Sequence, residues 1–259
     1  MRPLRAFHSA VAMYTWLPVR KHDWADRDFP DGLVALPWLG MLLGAAAGLL
    51  GWGSAAASGS WFLGALMAVG AVAYATGAMH LDGTADVADA LGSRKPAEQA
   101  RAIMKQSDIG PMGVVSLLLE VACLGVAPPG TWPLLMAFGM AAGRVVPLAA
   151  TLPGRGEEPV PGTLSSLVAG KVGEAGLWAS RGAVLAAGGA VTWWLLGWLA
   201  AAWWSGVVVT AWVFSTCWQR HLLRRLGRLN GDCYGSLIEL TQLAVWLGIA
   251  LTVKLIGVA

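Results

Sequence analysis

One stretch decides how this chain is organised: Met79-His80-Leu81-Asp82-Gly83-Thr84-Ala85-Asp86-Val87-Ala88-Asp89-Ala90-Leu91. It follows a long apolar segment and places the carboxylates of Asp82, Asp86 and Asp89 on one face if the stretch is helical. Three like charges this close repel one another, and no basic residue lies between them. A hard divalent cation such as Mg²⁺ is the simplest partner that keeps all three ionised. The alternative is an N-capped helix, with Asp82 as the cap and the other two carboxylates solvated.

The composition indicates a membrane protein. Of 259 residues, 56% are hydrophobic and 13% are charged, and fifteen are tryptophan. A soluble domain rarely has that balance, so we expect an all-α, polytopic integral membrane protein that forms one domain over residues 1–259. Its expected partners are the lipid bilayer and small-molecule substrates rather than nucleic acid, and a homo-oligomer is compatible with the sequence. The three unpaired cysteines predict neither a disulfide framework nor a zinc site.

Seven apolar segments predict membrane spans after a cytosolic or interfacial segment over residues 1–32. They cover residues 33–51, 61–79, 112–126, 132–152, 183–199, 203–218 and 240–257. Lys and Arg are concentrated in the N-terminal segment and in three charged loops, of which the first two are residues 80–111 and 153–182. The links near residues 52–60, 127–131 and 199–203 contain none. Because cytoplasmic loops attract basic residues, we expect a multi-pass protein of the cell membrane with its N-terminus and active site on the cytosolic side.

A second motif, residues 103–113, is a polar turn that opens the third predicted span. It contains Lys105 and Ser107, and its glycines Gly110 and Gly113 let the backbone approach a ligand closely. The free N–H groups at a helix start also suit a phosphate. A plain helix start, with Pro111 in the first turn, explains the same pattern.

A third motif, residues 228–239, again places acidic residues beside a predicted span. Asp232 and Glu239 are seven residues apart, and the pair Gly231-Asp232 with Gly235 suits a tight phosphate or metal contact. The alternative is a capped helix start in which Glu239 faces other helices. Arg228 and the two arginines upstream would ordinarily anchor a cytosolic loop, or could clamp a diphosphate.

Two charged residues fall inside predicted spans. Arg144 lies in span four and Glu120 in span three, and a charge within the bilayer marks a functional interior by default. The two could pair, although hairpin counting sets them at different depths. His80 could be a metal neighbour, a general base or a polar residue at the headgroup level.

Together these stretches resemble the cobalamin synthase family, the adenosylcobinamide-GDP ribazoletransferases, over nearly the whole chain. The family pattern His-x-Asp-Gly-x-Ala-Asp-x-x-Asp is intact in the first motif. The second motif follows the family's Ile-Met-(Lys/Arg)-Asp-Ser-Arg-(Ile/Leu)-Gly, except at Gln106 and Asp108. The third follows Thr-Gly-Asp-x-x-Gly-Ala-x-x-Glu at its Gly, Asp, Gly and Glu positions, with Asn230 in place of Thr and Arg228 in place of a Gly.

The resemblance implies that α-ribazole, or its 5′-phosphate, displaces GMP from adenosylcobinamide-GDP in a late step of vitamin B12 coenzyme biosynthesis, giving adenosylcobalamin or its 5′-phosphate. Mg²⁺ on the carboxylates would neutralise the charge of the transition state. The implied metal ligands are Asp82, Asp86, Asp89 and Asp232. Asp89 is the expected base, with His80 the alternative, and Asp82 and Asp86 act through the metal. The implied substrate-binding residues are Lys105, Ser107, Gly110, Gly113, Arg144, Arg228, Asn230, Gly231, Gly235 and Glu239.

Two other functions fit parts of the sequence. One is another Mg²⁺-dependent membrane phosphotransferase, of the CDP-alcohol type, whose Asp-rich motif is similar but whose Asp-Gly-x-x-Ala-Arg pattern this chain lacks. The other is a cation or corrinoid transporter with membrane carboxylates. Against a transporter, the carboxylates lie at the predicted cytosolic boundary of the spans.

Overall fold

The computed structural model describes residues 3–20, 23–106, 108–153 and 164–256, and every regular element in this part of the chain is helical. A 3₁₀ turn, Pro129–Thr131, leads directly into the seventh α-helix. The expected all-α fold is confirmed. The α-helices are α1 (Pro3–Tyr14), α2 (Asp28–Ser58), α3 (Trp61–Thr76), α4 (Met79–Gly92), α5 (Ala97–Ile103), α6 (Pro111–Gly125), α7 (Trp132–Arg144), α8 (Val146–Ala150), α9 (Leu164–Val168), α10 (Glu174–Leu196), α11 (Trp198–Leu226) and α12 (Gly231–Ile256).

Within the described residues, four helical segments are long and apolar enough to cross a membrane: α2, Pro129–Ala150, α11 and Gly231–Leu251. The bent pair α3 and α4 makes a fifth if it is counted as one span. Helix α6 is apolar but has only 15 residues, fewer than the roughly 20 needed to span a bilayer, and α10 is not apolar enough. These helices support a membrane protein with four or five spans, so the predicted seven are not confirmed. The orientation stays a prediction.

Helix α7 is the centre of the bundle, since nearly all of its residues are buried. Its most extensive neighbour is α2, which approaches it through three glycines spaced four residues apart, Gly40, Gly44 and Gly48. A Cβ atom added at Gly44 would lie 2.4 Å from the carbonyl oxygen of Met136. Small residues at this spacing let two membrane helices pack backbone against backbone.

The chain bends by 100° between α3 and α4. Gly77 (φ 62°) and Ala78 (φ 56°) at the bend are both left-handed, a conformation that costs a residue with a Cβ about 1–2 kcal/mol. The indole of Trp16 lies against Gly77, and the backbone N–H of Trp16 donates a 2.9 Å hydrogen bond to the carbonyl of Ala75. The predicted second span therefore ends at Thr76, and α4 turns away from it with the carboxylate motif.

The third predicted charged loop, between the predicted spans 203–218 and 240–257, is mostly helical. Helix α11 continues to Leu226, and α12 begins at Gly231, nine residues before the predicted start of the last span at residue 240. The loop that was expected to carry the basic and acidic residues is thus reduced to residues 227–230. Asp232 and Glu239 lie in the first turns of α12, so the boundary predicted for this span was wrong. Arg residues continue α11 past its apolar part, and polar residues such as Asp232 and Glu239 lie within α12, so composition alone misplaced both boundaries.

The contact between α2 and α7 predicts opposite effects for two glycines of one helix. Gly44→Ala should lower the free energy of unfolding by about 1–3 kcal/mol, because the new methyl group meets the backbone of α7. Gly53→Ala is the matched control, since a Cβ there meets no described atom within 4 Å. It should be neutral or stabilise by up to about 1 kcal/mol through helix propensity. Thermal unfolding in detergent measures both, and equal effects would argue against the close contact.

Candidate active site

Helix α4 crosses the start of α12 in close contact. A Cβ at Gly83 would lie 2.7 Å from the Cα of Asp232, and one at Gly235 would lie 2.9 Å from the carbonyl oxygen of His80. The two helices therefore approach through one glycine on each. Gly235, which the sequence predicts to bind substrate, contacts α4 in this structure.

The crossing brings the predicted carboxylates together. The motif is helical, as expected, and Asp86 lies close enough to Asp82, Asp89 and Asp232 for their charges to repel. Asp82 is exposed, while Asp86 and Asp232 are half-buried. The side-chain N–H of Asn230 donates a 2.7 Å hydrogen bond to Asp232 Oδ2.

Asn230 also caps α12. Its side-chain oxygen accepts a 3.0 Å hydrogen bond from the backbone N–H of Cys233, as an N-cap residue does. The sequence predicts Asn230 to bind substrate. Here it fixes the first turn of the helix and the rotamer of Asp232.

The carboxylates suit Mg²⁺, although they do not form a finished metal cage. Over the described ranges, no group of three or more His, Cys, Asp or Glu side chains is arranged to hold a metal ion. The donors are nevertheless hard oxygens with excess negative charge, from Asp82 and Asp86 on α4 and Asp232 on α12. Mg²⁺ is usually bound by one or two carboxylates together with water and substrate phosphates. These residues therefore fit a metal that binds together with a phosphorylated substrate, and Mg²⁺ stays a prediction.

Asp89 differs from the other carboxylates because it holds another helix. Its Oδ2 accepts a 2.7 Å hydrogen bond from the N–H of Gly110, and its Oδ1 accepts a 2.9 Å hydrogen bond from the N–H of Gly113. These are the backbone groups at the start of α6 that the sequence predicts for a phosphate. In this structure a carboxylate of the protein occupies them, so the two glycines allow α6 to approach Asp89.

Basic residues from two predicted motifs line one cavity of about 170 Å³. Lys105 and Arg228, both exposed, are joined there by Arg101 and Asn230. Arg101 was not predicted as a site residue, although it lies one helical turn before Lys105, and it also donates to the carbonyl of Leu226 at the end of α11. This concentration of positive charge suits a phosphate. Ser107, the other predicted residue of this segment, lies outside the described residues.

A polar cluster is buried behind the carboxylates. Arg144 Nη1 donates to Gln242 Oε1 at 3.2 Å, and Gln242 Nε2 donates to Glu239 Oε2 at 2.7 Å. Arg144 Nη2 lies 3.5 Å from His80 Nδ1. Glu120 of α6 lies near Glu239 and Arg144, but among the described residues neither of its carboxylate oxygens has a hydrogen-bond partner. All five residues are at most 5% exposed.

Two residues that were predicted to bind substrate, Arg144 and Glu239, are buried in this cluster. Arg144 contacts His80 and Gln242, and Glu239 accepts a hydrogen bond from Gln242. Both residues therefore lie in the interior, where these contacts connect α4, α7 and α12. Gln242 is not among the residues predicted from the sequence. The sequence feature that could have identified Gln242 is its position three residues after Glu239 within an apolar span, which puts both residues on one face of α12.

A second cavity, of about 250 Å³, adjoins Asp232 and is lined mainly by apolar residues of α1, α2, α8 and α12. His80 and Gly231 are also part of its wall. No motif in the sequence predicts this cavity, because its wall is assembled from helices far apart in the chain.

The fold and the site define a helical membrane protein with clustered carboxylates beside a basic cavity. The chain matches the model of the cobalamin-5-phosphate synthase family over residues 6–250, and it belongs to this family. The adenosylcobinamide-GDP ribazoletransferase of Brevibacillus brevis is 31% identical, over 94% of this chain and 97% of the relative. Enzymes with the same name from Novosphingobium aromaticivorans (30% identical, over 96% and 97%) and Frankia casuarinae (32%, over 95% and 94%) are similar. No solved structure gives a significant match.

The hydrogen bonds of Asp89 predict that this carboxylate stabilises the fold, whereas Asp82 on the same helix does not. Asp89→Ala should lower the free energy of unfolding by about 1 kcal/mol or more, because two N–H groups of α6 lose their acceptor. Asp82→Ala, on the same helix, removes an exposed carboxylate that repels Asp86 and Asp232, so it should leave the unfolding midpoint unchanged or raise it. Thermal unfolding without divalent metal compares the two. If Asp89→Ala were as stable as Asp82→Ala, the anchoring role would be wrong.

Proposed function

We propose that the protein joins adenosylcobinamide-GDP to α-ribazole, or to α-ribazole 5′-phosphate, and releases GMP. A ribose hydroxyl oxygen of the acceptor forms a bond to the cobinamide-side phosphorus. The bond from that phosphorus to the bridging oxygen breaks, GMP leaves with this oxygen, and the hydroxyl proton is released. Membership of the family supports a reaction of this class, as do the names of the relatives.

The observation that carries the proposal is the position of the carboxylates beside the basic cavity. Asn230 lines that cavity and is hydrogen-bonded to Asp232, so anionic and cationic groups adjoin through one residue. Attack on a diphosphate needs cations for the phosphate oxygens and oxygen ligands for a metal. The two groups of residues supply these two requirements.

Three roles are assigned to the residues of the site: metal binding, phosphate binding and proton acceptance. Asp82, Asp86 and Asp232 would hold Mg²⁺, which when bound neutralises charge on the diphosphate and on the departing GMP. Lys105 and Arg228 bind the phosphates of the nucleotide. Asp89 and His80 remain the candidates for accepting the hydroxyl proton. Asp89 already accepts two hydrogen bonds, and His80 turns Nδ1 toward a guanidinium, which can only donate.

We infer that the reaction takes place at the cytosolic face of the cell membrane. The segments that supply the basic cavity, residues 101–105 and 224–228, are rich in Lys and Arg. The positive-inside rule places the basic segments in the cytosol, where phosphorylated substrates and Mg²⁺ are present.

The function is tested by incubating purified protein with adenosylcobinamide-GDP, α-ribazole and Mg²⁺ and measuring adenosylcobalamin and GMP. Asp86→Ala should reduce GMP release by at least about 100-fold, because losing a direct ligand exceeds the 10- to 100-fold effect typical of outer-shell residues. Glu98→Ala, an exposed acid on α5, is the control and should keep full activity.

A second measurement separates metal binding from folding. With the nucleotide substrate present, Mg²⁺ should raise the unfolding midpoint of the wild-type protein but not that of Asp86→Ala. Substantial Mg²⁺-dependent GMP release by the folded variant would refute the metal role of Asp86. Release of CMP from a CDP-alcohol, and not of GMP, would instead favour the CDP-alcohol class.

Arg228 provides a test of the basic cavity. Arg228→Ala should raise the apparent KM for adenosylcobinamide-GDP by about tenfold or more, the effect of losing one hydrogen bond to a charged group. Arg224→Ala is the matched control, because Arg224 is exposed at the end of α11 and does not line the cavity. Its KM should equal that of the wild type. An unchanged KM in Arg228→Ala would show that Arg228 does not bind the nucleotide.

A further inference from the structure

The proposed function assigns no substrate to the cavity of about 250 Å³ beside Asp232. Its wall is formed mainly by apolar side chains, including Leu33, Leu36 and Ile238, with Thr151, His80 and Asp232 as polar members. An apolar cavity with a few converging polar groups is the usual form of a small-molecule site.

Two aromatic rings stand at this cavity. Tyr14 of α1 and His80 of α4 both line it, with their ring centroids 6.4 Å apart and their planes tilted by 38°. Burial raises the pKa of Tyr14, so its ring stays an uncharged phenol. Aromatic side chains bind other aromatic rings through offset or edge-to-face contacts. The wall therefore suits a flat ring.

The volume limits which substrate can enter. Ordinary small-molecule pockets measure about 300–1,000 Å³, so this cavity has room for one ring system and not for a corrin with its side chains. The guanine of adenosylcobinamide-GDP has several hydrogen-bonding groups, and most of the wall offers them no partner, which makes its burial there unfavourable. The dimethylbenzimidazole base of α-ribazole is flat and largely apolar, so it matches both the size and the lining.

Asp232 connects the cavity to the site of reaction. It lines the cavity, and it lies near Asp82 and Asp86 of α4. A nucleoside whose base occupied the cavity would therefore have its ribose beside the three carboxylates. There its hydroxyl would be close to a diphosphate bound at the metal.

We propose that this cavity binds the planar base of the acceptor nucleoside and turns its ribose toward Asp232. The inference depends on the proposed function for the identity of the acceptor. It assigns the choice among acceptor bases to the residues that surround the cavity, foremost Ile238.

Ile238→Phe tests this assignment, because Ile238 is 2% exposed and its enlarged side chain would fill part of the cavity. The apparent KM for α-ribazole should rise by about tenfold or more, in the range that a few atoms in an apolar pocket produce. The KM for adenosylcobinamide-GDP should stay unchanged. The loss should be smaller for the nucleoside of unmethylated benzimidazole. Leu251→Phe, which adds the same group to the exposed side of α12 where Leu251 is 57% exposed, should behave as the wild type.

A milder variant protects the test against misfolding. Ile238→Val enlarges the cavity by one methylene group and should shift the preference toward bulkier bases. An unchanged KM for α-ribazole in folded Ile238→Phe, or a rise confined to adenosylcobinamide-GDP, would overturn the assignment, as would equal shifts for both substrates.

A binding measurement distinguishes this inference from the proposed function. Calorimetry of α-ribazole with the wild-type protein and with Ile238→Phe, without the second substrate, should show binding that the variant weakens. If the wild type formed no adenosylcobalamin, the proposed function would fail even where this binding was seen. If the wild type were active and Ile238→Phe bound α-ribazole equally well, only the cavity assignment would fail.

Discussion

The site depends on the close crossing of α4 and α12, where Gly83 meets the backbone of Asp232 and Gly235 meets that of His80. The crossing sets the carboxylates of two helices against one another, which by itself would push the helices apart. The buried cluster opposes this repulsion. Arg144 lies between His80 of α4 and Gln242 of α12, so attraction in the interior holds together two helices whose surface charges repel. In an apolar interior such polar contacts are strong, and a missing partner is correspondingly costly.

The position of α4 is fixed at both of its ends as well. At its start, the left-handed pair Gly77 and Ala78 turns it by 100° from α3. Near its end, Asp89 holds the first N–H groups of α6. Backbone strain of this kind persists only where the surrounding structure determines it, and it is common beside functional sites. Helix α4 is thus held by a strained turn, a helix start and a buried arginine.

The sequence predicts the helices, the carboxylate face and the main polar residues because each of these is a local pattern. Periodicity places Asp82, Asp86 and Asp89 on one side of α4, and an Arg or Glu in an apolar segment is conspicuous at positions 144 and 120. The partner of each residue is not local. Nothing near Asp89 in the sequence indicates that it accepts hydrogen bonds from Gly110 and Gly113, and both glycines also fit a phosphate site. The end of α11 was misplaced because basic residues continue the helix past its apolar part, and the start of α12 because polar residues such as Asp232 and Glu239 lie within that helix.

The first turns of α12 carry the two cavities on different faces. Asn230 and Cys233 line the basic cavity, whereas Gly231, Tyr234 and Ile238 line the apolar one. One helix start therefore separates a surface suited to phosphates from a surface suited to an aromatic ring, with Asp232 beside both. On the proposed assignment, nucleotide and acceptor approach the carboxylates from different directions, which is what displacement at phosphorus requires, since the attacking and leaving oxygens lie roughly in line. Much of the barrier to such a reaction is lowered by orienting the two reactants. The separation of the cavities by α12 is the structural means by which this chain would achieve it.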